Sequence, residues 1–235
     1  MIAELYGKPQ QQGAEVLSDG GAKANVRMTR LGQLLTVDWK YNLIMGGLAW
    51  SGHIGTLTAG ADVGLIVGGG AGTTPDSDKP EMILGVDAGY FLIPMECKVT
   101  CDVDIDADAD FGSIVLFADR TKAPPTSVSG TPGIITPNNQ LDGGGAFPGR
   151  WFGGITTDLD DPVMDELLDY EYVAGATDAT GGLGLAAKLK MDYQPQFPVL
   201  LKGPCSLVVS FGGTAAVNGM IRMVVAAVPV SWFES

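Results

Sequence analysis

Five aspartates occupy every second position from Asp102 to Asp110, within the stretch CKVTCDVDIDADADFG that runs from Cys97 to Gly112. The positions between these aspartates carry valine, isoleucine and alanine. In a β-strand, side chains two residues apart point to the same side and lie about 6.6 Å apart. The stretch therefore predicts a strand with one apolar side and one row of carboxylates, and we expect that row to face solvent.

A calcium site is the alternative chemistry for this row, because carboxylate oxygens are preferred ligands of Ca²⁺. Asp106, Asp108 and Asp110 match the first three ligand positions of a D-x-D-x-D-G calcium loop. Phe111 then stands where that loop requires glycine, and Phe117 stands where it requires a bidentate glutamate. A straight strand also cannot surround the ion with about six to eight oxygens. The three aspartates are thus candidate calcium ligands only if a second loop completes the site.

The inventory of catalytic motifs is short. His53 is the only histidine, so any mechanism that needs an imidazole must use it. No serine lies in a G-x-S-x-G elbow, and no G-x-x-x-x-G-K-[ST] phosphate loop is present. Glycoside hydrolysis needs only two carboxylates, and the pairs Asp158/Asp160 and Asp165/Glu166 leave that chemistry open. We expect a protein that is not an enzyme and that binds no cofactor, with calcium as the one candidate ion.

The charge of the chain argues against two classes of partner. The chain has 27 aspartates and glutamates against 14 lysines and arginines, a net charge of -13. Polyanions and anionic membrane surfaces are bound by clustered basic residues. The most apolar run, Gly219–Phe233, is shorter than the ~20 residues needed to span a bilayer and contains Arg222 and Pro229. We therefore expect no nucleic-acid partner and no membrane partner.

The cysteines and the first residues suggest where the chain folds. Cys97 and Cys101 lie four residues apart on one predicted strand, a separation of about 13 Å along the strand. A disulfide needs Cα atoms within about 7 Å, so these two thiols cannot pair. The first residues also lack the basic start and the apolar segment of a secretory signal. Folding in a reducing cytoplasm is the expectation.

In most of the chain, the spacing of glycine and proline is typical of an all-β protein. Its 34 glycines and 14 prolines fall between short apolar runs and not inside long helical ones. Twelve such runs suit an antiparallel β-sandwich, and we expect one of the jelly-roll type. The predicted strands are Val26–Leu31, Gln33–Trp39, Gly47–Thr58, Val63–Val67, Glu81–Val86, Tyr90–Asp106, Ser113–Asp119, Asp169–Ala174, Leu185–Met191, Val199–Lys202, Cys205–Phe211 and Met220–Val230.

Three other segments complete the predicted organisation. Residues 1–24 are expected to form a polar N-terminal arm, followed by a single sandwich domain over residues 25–235. The Gly/Pro-rich segment Thr121–Gly154 predicts a long loop at one end of the sandwich. One short helix is predicted in DDPVMDELLDYEYV, with Asp161 as its N-cap and Pro162 in its first turn.

Both ends of the chain resemble a group of phage virion-associated proteins. Those proteins begin with a short LYGK arm and end in an apolar strand that finishes in Val-Pro-Val. The matching stretches are LYGK (Leu5–Lys8), TRLGQLLTVDW (Thr29–Trp39) and GPCSLVVSFGGTAAVNGMIRMVVAAVPV (Gly203–Val230). The resemblance does not extend to the row of aspartates. It implies a viral structural component, a jelly roll that assembles as a ring or trimer, and it brings no functional residues.

The predicted function is therefore that of a virion structural protein. We expect a capsid, decoration or vertex subunit that folds in the host cytoplasm and binds copies of itself and other virion proteins. The nearly neutral N-terminal arm favours lattice building over contact with the genome. In this hypothesis the arm and the long loop make the contacts between subunits.

A glycan- or receptor-binding sandwich of a spike or fibre is the alternative. Aromatic side chains stack on sugar rings, and five aromatic residues are candidates: Trp50, Trp151, Phe152, Tyr170 and Tyr172. Trp151 and Phe152 are the predicted interaction residues, because their place in the long loop favours exposure. Calcium on the row of aspartates would then assist binding.

Overall fold

Two antiparallel sheets of six strands each pack against one another in this protein. The sandwich is known from a computed structural model, and the predicted all-β, antiparallel sandwich is confirmed. The N-terminal arm and the predicted strands Val26–Leu31 and Val63–Val67 lie outside the residues that the structure describes. The described residues are 39–55, 75, 77–104, 111–156, 158–160, 162–174, 187–213 and 216–232.

Twelve strands and two short helices make up the described chain. The helices are α1 (Trp39–Met45) and a single 3₁₀ turn, Val230–Trp232. The strands are β1 (Ala49–Ile54), β2 (Met82–Val86), β3 (Tyr90–Asp104), β4 (Phe111–Asp119), β5 (Gly130–Ile134), β6 (Asn138–Asn139), β7 (Gly149–Ile155), β8 (Glu166–Ala174), β9 (Ala187–Tyr193), β10 (Leu201–Lys202), β11 (Cys205–Gly213) and β12 (Ala216–Pro229).

The first sheet is built around the long pair β3 and β12. These strands pair from Ala216 opposite Asp104 to Pro229 opposite Tyr90, with one irregularity between Val224 and Val225. On one side, β12 pairs with β1, which pairs in turn with β6. On the other side, β3 pairs with both β9 and β10. The first and last strands of the described chain are thus neighbours near the middle of this sheet.

The second sheet has the strand order β5-β7-β2-β11-β4-β8. Its centre is β11, which pairs with β2 on one side and with β4 on the other. The outer strand β8 pairs with β4 and has an irregular register between Leu116 and Phe117. At the opposite edge, β5 pairs with β7.

The core lies between the sheets and follows from two-residue alternation. Cys97, Val99 and Cys101 of β3 face the core, as the sequence predicts. Ile221 and Met223 of β12 lie on the same side. Each sheet also has a smaller apolar cluster on its outer face. The one on the first sheet is covered by α1, and the one on the second sheet is packed against Val128 and Leu159 of the connecting segments.

The predicted helix in DDPVMDELLDYEYV is wrong, because most of this stretch forms strand β8. Leu168 and Val173 both pack against the core, and their odd spacing fits a strand with an irregular register. Strand β4 supplies the backbone hydrogen-bond partners of this strand. Tyrosine and valine also favour strands over helices. Pairing with a distant strand has overridden the local helical signal.

Helix α1 lies where the predicted strand Gln33–Trp39 ends. Its Trp39, Leu43 and Ile44 pack on the outer cluster of the first sheet. Residues four positions apart, such as Trp39 and Leu43, share one helix face, so this short helix packs a half-buried apolar side against the sheet. None of the helices in the described part of the chain is long and apolar enough to cross a membrane.

The predicted loop Thr121–Gly154 contains three strands. Within it, β5 and β7 extend the second sheet, and β6 extends the first. Trp151 and Phe152 lie in β7 and are only 2% and 3% exposed, so the expectation that they are exposed is wrong. Gly52 leaves room for the Trp151 indole, because a Cβ at residue 52 would lie 2.8 Å from Cζ2 of the tryptophan.

Replacing Trp151 with alanine tests whether this segment is part of the core. Because the indole is enclosed between the sheets, we expect Trp151→Ala to lower the free energy of unfolding by about 3–5 kcal/mol. The matched control is Trp232→Ala, since Trp232 is 48% exposed. Urea denaturation measures both variants, and equal losses for the two would contradict the assignment of Trp151 to the core.

Candidate functional site

The predicted calcium ligands Asp106, Asp108 and Asp110 lie outside the described residues. The predicted strand that carries the row is present as β3, which is described as far as Asp104. Within the described ranges, no group of three or more His, Cys, Asp and Glu side chains is close enough to hold a metal ion. The calcium hypothesis for this row therefore stays a prediction.

The acidic pairs Asp158/Asp160 and Asp165/Glu166 were the candidate residues for glycoside hydrolysis. In the structure, basic side chains and a backbone amide contact these four carboxylates. Lys79 Nζ lies 2.8 Å from Asp158 Oδ1, and Lys122 Nζ lies 3.2 Å from Asp160 Oδ2. The backbone N–H of Arg120 donates to Asp165 at 2.7 Å, and the guanidinium of Arg120 pairs with Glu166. These contacts tie the segments before β2 and after β4 to the chain that leads into β8. Each of these four carboxylates thus has a basic or backbone partner in a neighbouring segment.

His53 lies on β1 with its side chain exposed on the outer face of the first sheet. Its cross-strand neighbour is Arg222 of β12. Arg222 forms an ion pair with Glu96, and Lys98 Nζ lies 3.5 Å from the same carboxylate. Arg222, Glu96 and Lys98 form a charged surface beside the apolar area that α1 covers.

Asp119 is a buried, hydrogen-bonded carboxylate that sequence analysis missed. It is completely buried at the end of β4 and accepts four hydrogen bonds. Thr121 donates from its N–H and its hydroxyl, both at 2.7 Å, and the N–H groups of Lys122 and Val163 donate at 3.1 and 2.9 Å. Burial by itself raises the pKa of Asp119, but these hydrogen bonds outweigh it, so the pKa lies below its usual value. An aspartate followed two residues later by threonine is a turn signal that could have identified it.

All three cysteine thiols are free and buried. The spacing of Cys97 and Cys101 predicted that these two thiols would not form a disulfide. Burial raises the pKa of Cys97, and the carboxylates of Asp169 and Glu96 raise it further. Burial also raises the pKa of Cys205 to about 11. A thiol with a raised pKa is a poor nucleophile near neutral pH, so the arrangement of these two cysteines is that of core residues.

An open groove of about 310 Å³ lies in the segment between β4 and β8. Its walls include Thr126, Ile134, Thr136, Phe147 and Arg150. The Phe147 ring packs edge-on against Trp50 and Trp151, with ring centroids 5.5 and 5.7 Å away. The guanidinium of Arg150 pairs with Asp87 at 2.5 Å. The groove therefore combines packed aromatic rings with two hydroxyl groups and a guanidinium that is paired with a carboxylate.

The outer face of β8 carries the most exposed apolar strand surface. Leu167, Tyr170 and Tyr172 lie opposite Phe117, Val115 and Ser113 of β4, and so share the outer side of the second sheet. Tyr170 is 63% exposed and Tyr172 is 57% exposed.

Of the five aromatic candidates for sugar stacking, only these two tyrosines are largely exposed. Trp50 is 4% exposed and lies in the core with Trp151, while Phe152 is buried in the outer cluster of the second sheet. The spacing in DYEYV predicts that the two tyrosines share a strand face. The sequence could not say that this face is uncovered.

No known protein family and no curated protein matches this chain.

The described residues offer two candidate binding surfaces, the groove near Phe147 and the exposed face of β8. Neither brings together a nucleophile, a base and an oxyanion donor, which are the groups that acyl transfer needs.

Replacing Asp119 with asparagine should destabilise the fold, because an amide N–H₂ group would face a backbone donor. We expect Asp119→Asn to lower the free energy of unfolding by about 1–3 kcal/mol at pH 7. Since the folded-state pKa is lowered, the ionised carboxylate stabilises the native state fully above the unfolded-state pKa. This contribution is lost as the pH falls through the folded-state pKa.

The difference between wild type and Asp119→Asn should therefore shrink as the pH is lowered from 7 towards 2. Urea denaturation at a series of pH values measures it. Asp142→Asn is the matched control, because Asp142 is exposed. A difference between wild type and Asp119→Asn that does not depend on pH would contradict the assigned hydrogen bonds.

Proposed function

We propose that the chain is a structural subunit of a bacteriophage virion, a capsid, decoration or vertex protein that assembles through contacts between copies. Copies of the chain and other virion proteins are its partners, and it folds in the host cytoplasm before assembly. The observation that carries this proposal is the order in which the strands pair.

Eight strands form nested pairs when the inserted strands β5 to β7 and the short β10 are set aside. The first pairs with the last (β1 with β12), and the second with the seventh (β2 with β11). The third pairs with the sixth (β3 with β9), and the fourth with the fifth (β4 with β8). A ribbon of four nested pairs that is wound into two sheets is the chain path of a jelly roll, an architecture used by viral shell proteins, lectins and cupins.

Further features favour the virion among these classes. The free, buried thiols agree with folding in a reducing compartment. The net charge of -13 favours a position away from the genome. Fold alone does not decide function, so the resemblance of the two chain ends to virion-associated proteins is the second support.

The proposal predicts that the chain co-purifies with virus particles. A lysate of the cells that produce it is separated on a density gradient, and the fractions are analysed by mass spectrometry. We expect the chain in the DNA-containing particle band, where it should remain after nuclease treatment and a high-salt wash. An abundant host cytosolic protein is the control and should stay at the top of the gradient. Recovery of the chain only at the top would overturn the proposal.

A glycan-binding module is the second candidate, and the groove near Phe147 is the observation that favours it. Its volume of about 310 Å³ is near the lower end of ligand pockets. Aromatic rings and hydroxyl groups are the usual partners of sugars, and this groove has both. It also lies in the segment that sequence analysis selected for binding.

A glycan array probed with the purified chain, with and without calcium, tests this candidate. If the groove binds a saccharide, we expect a specific signal that Thr136→Arg abolishes by filling the groove. Ser127→Arg is the matched control, because Ser127 is exposed and lies outside the groove lining. A blank array, or equal signals from both variants, would reject the glycan candidate.

A further inference from the structure

We propose that copies of the chain bind head to tail, so that the exposed side of α1 in one copy packs on the outer face of β8 in the next. The α1 side consists of Tyr41 and Met45, and the β8 face consists of Leu167, Tyr170 and Tyr172. This inference deepens the proposed function and rests on it for the kind of partner, since a shell subunit must bind its own kind. The two surfaces are argued from strand and helix geometry, area and charge.

The three residues of the β8 face share one surface. Leu167 lies opposite Phe117 and Tyr170 lies opposite Val115, and both partners belong to the outer apolar cluster of the second sheet. Tyr172 follows Tyr170 by two residues, so it points to the same side of the strand. All three side chains of the face are more than half exposed. The β8 face is therefore a single apolar surface with no charged side chain of its own.

Tyr41 and Met45 share the side of α1 that points away from the sheet. Helix residues four positions apart lie on the same side of the helix. Trp39, Leu43 and Ile44 pack on the outer cluster of the first sheet, while Tyr41 and Met45 are each 60% exposed. Successive residues are rotated by about 100°, which places these two opposite the packed side. The α1 side and the β8 face thus lie on opposite outer faces of the sandwich.

The exposed area of the two surfaces is sufficient for a specific contact. Tyr170 is 63% exposed and Tyr172 is 57% exposed on one surface, and the two residues of the α1 side are each 60% exposed on the other. With Leu167 included, covering these side chains removes roughly 600 Å² from water, at about 200 Å² for a large side chain. Interfaces are about 60% apolar, so the whole contact is on the order of 1,000 Å², which is the lower range for specific complexes.

Charge disfavours contact between two β8 faces. Asp169 and Glu171 alternate with the tyrosines on the same edge strand, with their side chains on its core side, and Asp165 and Glu166 come just before them. Arg120 pairs with Glu166. The β8 face therefore has an acidic rim. Two such faces in contact would bring like charges together within about 8 Å, the distance over which salt does not screen them.

The α1 side has the complementary character. Residues 39–54 contain no aspartate or glutamate, although the chain has 27 of them. Lys40 is the one charged residue of α1 and is next to Tyr41 in the sequence. Contact between the α1 side and the β8 face therefore places a cation near the acidic rim. This complementarity favours the α1 side of a second copy over its β8 face.

Carboxylates elsewhere on the outer face of the first sheet do not reverse this contrast. Glu96 and Asp192 lie 3.5 and 4.0 Å from the Nζ atom of Lys98. The row of aspartates begins at Asp102, nine residues after Ile93 on β3, and Ile93 belongs to the cluster under α1. Nine strand residues span about 30 Å. That row is therefore several Debye lengths from the helix.

A contact between two different faces leaves one free face on each end of the pair. The free β8 face at one end and the free α1 side at the other can bind further copies. Such heterologous contacts produce a ring when the rotation between copies closes, and an open row when it does not. We therefore expect the chain to form species larger than a dimer.

Full-length variants with a carboxylate on one surface each test the contact by analytical ultracentrifugation. We expect wild type to form species larger than a dimer as its concentration rises. Met45→Glu and Tyr170→Glu should each weaken association by at least about tenfold, because each places an unpaired carboxylate in the contact. Ala88→Glu is the matched control and should associate like wild type, since Ala88 is exposed in the turn that links β2 of one sheet to β3 of the other.

An equimolar mixture of the two variants gives the decisive result. Met45→Glu keeps an intact β8 face and Tyr170→Glu keeps an intact α1 side, so together they can form one contact. We expect one-to-one dimers of the two variants and nothing larger. A mixture that stays monomeric, or a monomeric wild type, would overturn the proposed contact. Association that Met45→Glu leaves unchanged would also overturn it, because copies would then meet without the α1 side.

This test and the test of the proposed function fail separately. A chain that is found in virus particles but whose Met45→Glu and Tyr170→Glu variants associate like wild type would keep its virion role and lose this contact. A chain that passes the mixing test but is absent from particles would keep the contact and lose the virion role. Circular dichroism of each variant confirms that the fold is intact.

Discussion

The pairing of β3 with β12 is the constraint on which the rest of the sandwich depends. The ladder runs from Tyr90 to Asp104 on one strand and occupies the middle of the first sheet. Every other strand of that sheet pairs directly or through β1 with one of these two strands. A shift of this register by one residue would turn Val99 and Ile221 out of the core. The position of the outer cluster beneath α1 follows from the same register.

Much of the sandwich could be predicted because two-residue periodicity is a local property. In β3, alternation from Cys97 to Cys101 showed which side faces the core, and the structure places these residues there. Glycine and proline between the apolar runs marked where β2, β4 and β11 end, to within about two residues. Strand identity was therefore accessible from the sequence wherever the apolar side was continuous.

The remaining features depend on partners that are distant in the sequence. Strand β8 was predicted only from Asp169 onwards, and its first residues resembled a helix because the irregular register there disguises the alternation. Trp151 and Phe152 sit among glycines and prolines, and their burial follows from pairing with β2. Among the candidate surfaces, the aromatic residues were identified from sequence, but which of them remain exposed was not. The carboxylate of Asp119 shows the same limit, since one of its donors, Val163, lies in a separate segment.

The pairing of β1 with β12 has a consequence for synthesis. Ala49 lies opposite Ala226, so the first described strand has no neighbour on that side until the residues of β12 have been translated. Folds dominated by such distant contacts form slowly, on a timescale of roughly milliseconds to seconds. The first sheet therefore stays incomplete until β12 has emerged from the ribosome and can pair with both β1 and β3.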